Sequence, residues 1–295
     1  MSNMQNILCS KYPLSLSECK RSNILVTGTN QQGKSKLSMA LADILMRHGF
    51  QVLVFDNVGH WRQQSSVRTY FEVSPQTMTY ILPKRSSLIY DISLLLPSFQ
   101  KEFCENVLND LWLYRVQEKP QHWVLLVFEE FQLYAKNVRG NVSQNILRIM
   151  SVGANHGIRS LGITPDLSLI DCAFIRLTNQ RYHFRLGNEP NAKRRFNAYY
   201  GSDYTRVCKE LDVGCLIYYL NEKLKIYSIP LFRSRSISRP YIEPQKPKEP
   251  NIWHKIKVAL SGSEEEEENE VYDYEKEYQR ELEEDDEDVD FLEDW

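Results

Sequence analysis

Cysteine is scarce and unpatterned. Cys9, Cys19, Cys104, Cys172, Cys208 and Cys215 form no CxxC pair and no Cys/His ligand spacing, which excludes a zinc ribbon, a zinc finger or a vicinal redox pair and leaves reduced thiols as the expected state. Long apolar runs are also missing. No stretch approaches the roughly 18 uninterrupted apolar residues of a membrane span, and the opening MSNMQNILCSKYPLSLSECKR has no sustained apolar core of the kind a secretory signal needs. The expected location is therefore the cytoplasm. Helix-turn-helix and RRM patterns are absent as well, so any contact with nucleic acid is expected to be made to the backbone and to be independent of sequence.

What is present is an ordinary soluble composition with an uneven charge. Of 295 residues, 42% are apolar, 12% aromatic and 25% charged, enough for a sizeable core in one large α/β domain with extensions. The net charge of −3 hides an asymmetry. Residues 261–295 hold 19 Asp and Glu against 2 Lys and Arg, and residues 1–260 hold 34 basic against 20 acidic residues. A body of +14 carrying a tail of −17 is the distribution of a polyanion-binding domain with an acidic appendage.

Apolar periodicity divides the body into alternating elements. Asn23–Val26 reads as a strand and Ser35–His48 as a helix, with Leu37, Ala40, Leu41, Ile44 and Leu45 on one face; Gln51–Phe55 reads as a buried strand ending at Asp56. Thr79–Leu82 and Leu88–Ile92 are strand-like, and a helix is expected over about residues 100–117. His122–Phe128, Leu161–Thr164 and Tyr182–Leu186 read as further strands, with helices at Asn145–Val152, Asn191–Tyr199 and Tyr204–Leu211. Cys215–Leu220 and Leu224–Ile229 form a closing hairpin around Asn221 and Glu222. The expected fold is α/β, a mostly parallel sheet flanked by helices. A lead-in over 1–21, a domain over 22–232, a Pro/Arg/Ser-rich linker over 233–260 and an acidic disordered tail over 261–295 complete the organisation.

Between the first strand and the first helix, Gly28-Thr29-Asn30-Gln31-Gln32-Gly33-Lys34-Ser35 is a GxxxxGK[ST] phosphate loop. Its glycines let backbone N–H groups turn inward around a phosphate and the helix N-terminus adds a favourable dipole. Lys34 is expected at the β/γ oxygens, Ser35 on Mg²⁺ and Lys36 beside them. The apolar run ending Phe128-Glu129-Glu130 fits a Walker B strand. Two adjacent acids at the end of a buried strand are costly without a task; the assignment is Glu129 to the Mg²⁺ shell and Glu130 to the attacking water. The expected cofactors are ATP and Mg²⁺.

Four segments, GTNQQGKS, QVLVFDNVGHW, VLLVFEEF and ILRIMSVGANHGIRSLGITPDLSLID, followed by a strand ending at Arg185, stand in an order that resembles the HerA/FtsK superfamily over roughly residues 22–230. The resemblance implies a RecA-like P-loop ATPase core, a homo-oligomer of hexameric type with nucleotide between subunits, and double-stranded DNA as the track. It further implies genome packaging or DNA transfer for a virus or mobile element, in the host cytoplasm or with the virion. The chain departs from the family's pattern at Gly153-Ala154-Asn155-His156-Gly157, where alanine holds the usual arginine-finger position, and at Pro165, where a sensor glutamine is common. Arg148, Arg159 and Arg185 are then the candidate trans arginines, and Thr164 the residue beside the γ-phosphate.

Backbone-directed DNA contacts are expected from Lys136 and Arg139, with Asn141 in the same loop, and from Lys193, Arg194 and Arg195 on a helix. In the tail, Tyr274, Tyr278 and Leu282 at helical spacing and Phe291, Leu292 and Trp295 at the end suggest a segment that either occupies the DNA site or docks a capsid or membrane protein. A second reading of a different class remains open: an ATP-dependent oligomeric switch or assembly protein that binds partners through this tail without moving DNA. The adjacent acids and the lack of an Arg-rich lid argue against a small-molecule kinase.

Overall fold

A computed structural model describes residues 16–76, 78–136, 143–221 and 223–228; Arg139, Asn141, the linker and the acidic tail lie outside them. Among the described residues nine strands, β1 (Asn23–Thr27), β2 (Phe50–Asp56), β3 (Tyr70–Glu72), β4 (Leu88–Asp91), β5 (Trp123–Phe128), β6 (Ile158–Thr164), β7 (Thr178–His183), β8 (Cys215–Leu220) and β9 (Lys223–Ser228), make one sheet in the order β3-β4-β2-β5-β6-β1-β7-β8-β9. The strands from β3 to β7 run parallel, and β8 and β9 close the sheet antiparallel. The fold class expected from the apolar patterning is the one observed.

Parallel strands covered on both faces read as continuous apolar runs, and their pleat sends alternate residues to opposite layers. Leu53 and Phe55 of β2 and Val124, Leu126 and Phe128 of β5 enter one core; Val52, Val54, Leu125 and Val127 enter the other. The first core is covered by α4 (Pro97–Glu118), α5 (Gln144–Val152), α6 (Cys172–Arg176), α7 (Pro190–Tyr200) and α8 (Ser202–Glu210). The second is covered by α1 (Leu16–Cys19), α2 (Lys34–Arg47) and α3 (Trp61–Gln64). Helix α2 buries Leu37, Leu41 and Leu45, an i, i+4, i+8 stripe. Among the described residues no helix is long and apolar enough to cross a membrane.

Two strand assignments are corrected. Thr79–Leu82 is irregular and partly buried; Tyr80 packs edge-on against Phe103 and donates its hydroxyl to Asp110 at 2.6 Å, so its burial comes from helix packing, and the edge strand is Tyr70–Glu72. The strand expected at Tyr182–Leu186 lies at Thr178–His183. Its partner β1 ends in register with it, Thr27 opposite His183. Beyond that point β1 turns into the glycine loop, so the regular ladder stops before Phe184–Leu186.

A buried polar chain ties this strand end to α7. Arg181 Nη1 donates to the Tyr200 hydroxyl at 2.9 Å, Tyr200 lies 2.7 Å from His183 Nε2, and His183 Nδ1 lies 2.7 Å from Thr27 Oγ1. Both ring nitrogens of His183 are thus engaged, one by the Tyr200 hydroxyl and the other by the Thr27 hydroxyl. Burial, then the Arg181 charge, holds His183 down to about 3, so it is neutral in the folded protein.

This packing yields two predictions. Phe131 packs so closely on β6 that a Cβ at Gly162 would lie 2.7 Å from its ring; Gly162→Ala is expected to lower unfolding free energy by about 1–3 kcal/mol in urea titration. His183 takes up a proton on unfolding, so its contribution is complete above the ordinary histidine value and is lost as pH falls from about 6.5. The stability gap between the wild type and His183→Gln should therefore narrow by about 2 kcal/mol between pH 7 and pH 5; a gap independent of pH would contradict a neutral buried His183.

Candidate functional site

The candidate residues of the glycine loop and of the acidic strand end gather where β1, β5 and β6 end. Strand β1 is buried along its whole length, then breaks into a loop that needs unusual backbone angles. Gly28 (φ 139) and Gly33 (φ 108) occupy left-handed space, as does the non-glycine Gln31 (φ 63). Gly28 is also required by contact, because a Cβ there would lie 2.5 Å from the Cβ of Phe184. The loop is pinned from three sides: Gly28 N–H donates to Pro165 O (3.0 Å), Thr29 N–H to Arg185 O (3.0 Å), and Gly214 N–H to Gln32 O (3.2 Å). Asn30, Gln31 and Lys36 are exposed, and Gln32 is buried.

Lys34 opens α2 and donates Nζ to Thr29 O at 3.0 Å, so its ammonium folds back over the loop. Burial lowers its pKa while the charges of Glu130 and Glu129 raise it. Ser35 Oγ donates to Glu129 Oε1 at 2.5 Å. The other carboxylate oxygen, Oε2, accepts from the indole N–H of Trp61. Burial pushes Glu129 up to about 7; the hydrogen bonds from Ser35 and Trp61 pull it down, and the nearby charges of Asp56 and Glu130 add to the rise. Glu130 accepts from Gln132 Nε2 in the turn after β5.

The residues present fit a magnesium ion shared with a nucleotide. Among the described residues no three His, Cys, Asp or Glu side chains form a metal group of their own, and Mg²⁺ commonly takes one or two carboxylates with substrate phosphates and water completing its shell. The Ser35–Glu129 contact supplies that incomplete donor set beside the loop, within a crowd of negative charge that a dication would relieve.

The structure brings some of the remaining candidates here and leaves others elsewhere. Thr164 is fully buried at the end of β6 and donates Oγ1 to Asp166 O at 3.2 Å. Arg185 is exposed beside the loop, its Nε donating to Lys209 O at 3.2 Å. Arg159 is removed from the trans candidates: it belongs to the opposite, N-terminal end of β6, paired with Leu125, is 4% exposed, and donates to Lys20 O through Nε (3.2 Å) and Nη2 (2.9 Å). Arg148 is half-buried, with its guanidinium 4.7 Å from the centre of the Trp112 ring and Nη2 on Asn145 Oδ1 at 2.7 Å. Lys136 is exposed after the β5 turn, and Lys193, Arg194 and Arg195 are half-buried or exposed on α7.

The Gly153–Gly157 segment lies at the sheet end away from the loop and has an architectural use. Arg115, 1% exposed, donates Nε to His156 O (2.7 Å) and Nη2 to His122 O (2.6 Å), and a Cβ at Gly157 would strike that guanidinium. Trp61, Pro165, Arg185 and Gly214 were not assigned to the loop by sequence reasoning. Pro165 and Arg185 had been singled out for other roles, and Trp61 carried a signal as an aromatic five residues after the strand-ending Asp56 in a segment already noted.

No protein-family model matches the chain, and no curated protein matches it. Solved structures do. The genome-packaging NTPase B204 of Sulfolobus turreted icosahedral virus 2, in complex with AMPPCP, superposes with a TM-score of 0.57 at 17% identity, covering 72% of this chain and 100% of that one. The plasmid coupling protein TrwB, in complex with ADP and Mg²⁺, superposes with a TM-score of 0.59 at 9% identity, covering 77% of this chain and 88% of that one. The expectation of a RecA-like P-loop NTPase fold, of the kind found in packaging NTPases and conjugative coupling proteins, is met.

Proposed function

We propose that the chain is an ATPase whose hydrolysis moves double-stranded DNA, working as a homo-oligomer, with a hexamer as the expected ring and genome packaging or DNA transfer as the setting. The observation that carries the nucleotide part is the 2.5 Å contact of Ser35 with Glu129, which joins the loop helix to the Walker B strand. The likeness in fold to a packaging NTPase and to a coupling protein supports the DNA part.

Backbone N–H groups of Gly28–Gly33 and the N-terminus of α2 hold the phosphates, with Lys34 at the β/γ oxygens. Ser35 and Glu129 hold Mg²⁺, which when bound neutralises charge on those oxygens. Glu130 orients the attacking water and accepts its proton; its bond to Gln132 keeps the carboxylate aimed from the β5 turn. Arg185, exposed next to the loop, and Arg148 are the arginines left to reach a neighbouring subunit's nucleotide. Lys193, Arg194 and Arg195 of α7, half-buried or exposed, and Lys136 contact the phosphate backbone, and the acidic tail docks a capsid or membrane protein.

Steady-state turnover of the full-length protein, with and without linear double-stranded DNA, tests this reading. DNA should raise turnover, and Glu130→Gln should cut kcat by about 10²–10⁴-fold while leaving ATP binding intact. Binding of ATP with negligible turnover, indifferent to DNA and to Glu130, would replace the motor with the switch reading.

A further inference from the structure

Glu129 faces the loop in one rotation because both of its oxygens are taken. Ser35 occupies Oε1 at 2.5 Å and the Trp61 indole N–H occupies Oε2. The second partner is itself built into the fold. Strand β2 ends at Asp56, whose Oδ1 accepts from the backbone N–H of His60 (3.2 Å) and whose Oδ2 accepts from Trp61 (2.8 Å) and Arg62 (3.4 Å). The chain wraps around that carboxylate, aided by Gly59 at φ 74, and starts the one-turn helix α3 at Trp61. The indole is fully buried in the core that also holds Val54, Ile89 and Val127, so its position is set by packing before the hydrogen bond is made.

A buried indole N–H needs an acceptor, and a backbone carbonyl would suffice. Here the acceptor is the distal oxygen of the one carboxylate that meets Ser35, and a charged acceptor makes the bond stronger and more directional than a carbonyl would. The oxygens of Asp56 are turned to its own turn, where they accept from three backbone N–H groups.

We propose that Trp61 is a positioning residue for Mg²⁺: its indole N–H fixes the rotation of Glu129 so that Oε1 is presented beside Ser35, and through that contact it sets how strongly Mg²⁺ is recruited to bound nucleotide. Asp56 acts one step further out, holding Trp61 in place. The role rests on the nucleotide–Mg²⁺ reading of the loop given above.

The test is Trp61→Phe in the full-length chain, which keeps a ring in the core and removes the N–H. Binding of a fluorescent ATP analogue is measured in EDTA and across a Mg²⁺ titration. The Mg²⁺ concentration for half-maximal enhancement should rise about 10–100-fold, the range for loss of an outer partner of a metal ligand. Affinity in EDTA should stay at the wild-type value, and turnover should recover at high Mg²⁺. Unchanged Mg²⁺ dependence, or an equal loss of affinity with and without Mg²⁺, overturns the role of Trp61. Should the variant fail to fold, the wild type decides: the indole N–H resonance of Trp61 must shift when Mg²⁺ is added to the ADP-bound protein, and a resonance that stays in place overturns the proposal. A wild-type protein that binds no nucleotide overturns the nucleotide reading itself; normal Mg²⁺-dependent binding retained in Trp61→Phe overturns the role of Trp61 alone.

Discussion

A carboxylate 4% exposed at the end of a central parallel strand costs several kcal/mol if left alone, and Glu129 is such a group. Its compensation comes from segments far apart in the chain: Ser35 from the start of α2 and Trp61 from the turn after β2, with the Lys34 charge nearby. For all of them to reach one carboxylate, β1, β2 and β5 must end at matched heights. The register provides this, with Phe55 opposite Phe128 and their rings stacked at 5.3 Å one residue before Glu129. The aromatic stack and the acid therefore work as one constraint: the first sets where the strands end, and the second penalises any slip.

Most of the sheet and the heart of the site were legible in the sequence because their signals are local. The GTNQQGKS loop needs only its glycines, its lysine and its serine in a strand–loop–helix context, and WVLLVF followed by two acids declares a buried strand end within eight residues. What escaped depends on chain segments meeting at long range. Tyr70–Glu72 is a three-residue edge strand with no run to announce it, whereas Thr79–Leu82 looked like a strand because helix packing, and not a ladder, buries its side chains. His183 and Tyr200 are unremarkable in sequence and become a network only when β7 is laid beside β1 and α7 covers it. Trp61 stood in a recognised segment, yet its partner lies 68 residues away.

Arginine shows the same limit from the other side. Counting basic residues in the sequence treats each as available, but the fold consumes several as architecture. Arg115 holds two loop carbonyls, Arg159 holds the lead-in through Lys20, and Arg181 is buried with its guanidinium 4.7 Å from the Tyr219 ring and bonds to Tyr200, Thr178 and Ile175. A guanidinium suits this use because its planar fork can satisfy several carbonyls at once while staying charged. The excess positive charge of the body thus overstates what its surface offers a polyanion, and the exposed or half-exposed cations of α7 and Arg185 carry more of the argument than the total does.

The phosphate loop is held as much by the chain beyond β7 as by its own helix. Arg185 O receives Thr29 N–H, Gly214 N–H reaches Gln32 O, and Phe184 leaves room at Gly28 only for a hydrogen. Those partners belong to the segment that carries α7 and α8, which is itself anchored by Leu186 N–H to Cys208 O and by His183 to Tyr200. The loop and α7 are linked through the end of β7, where His183 reaches Tyr200 of α7 and the next residue, Phe184, packs against Gly28. Packed interfaces of this kind respond by moving as units. The helices beyond β7 and the glycine loop are therefore joined through the end of β7 and the hydrogen bonds that leave it on either side.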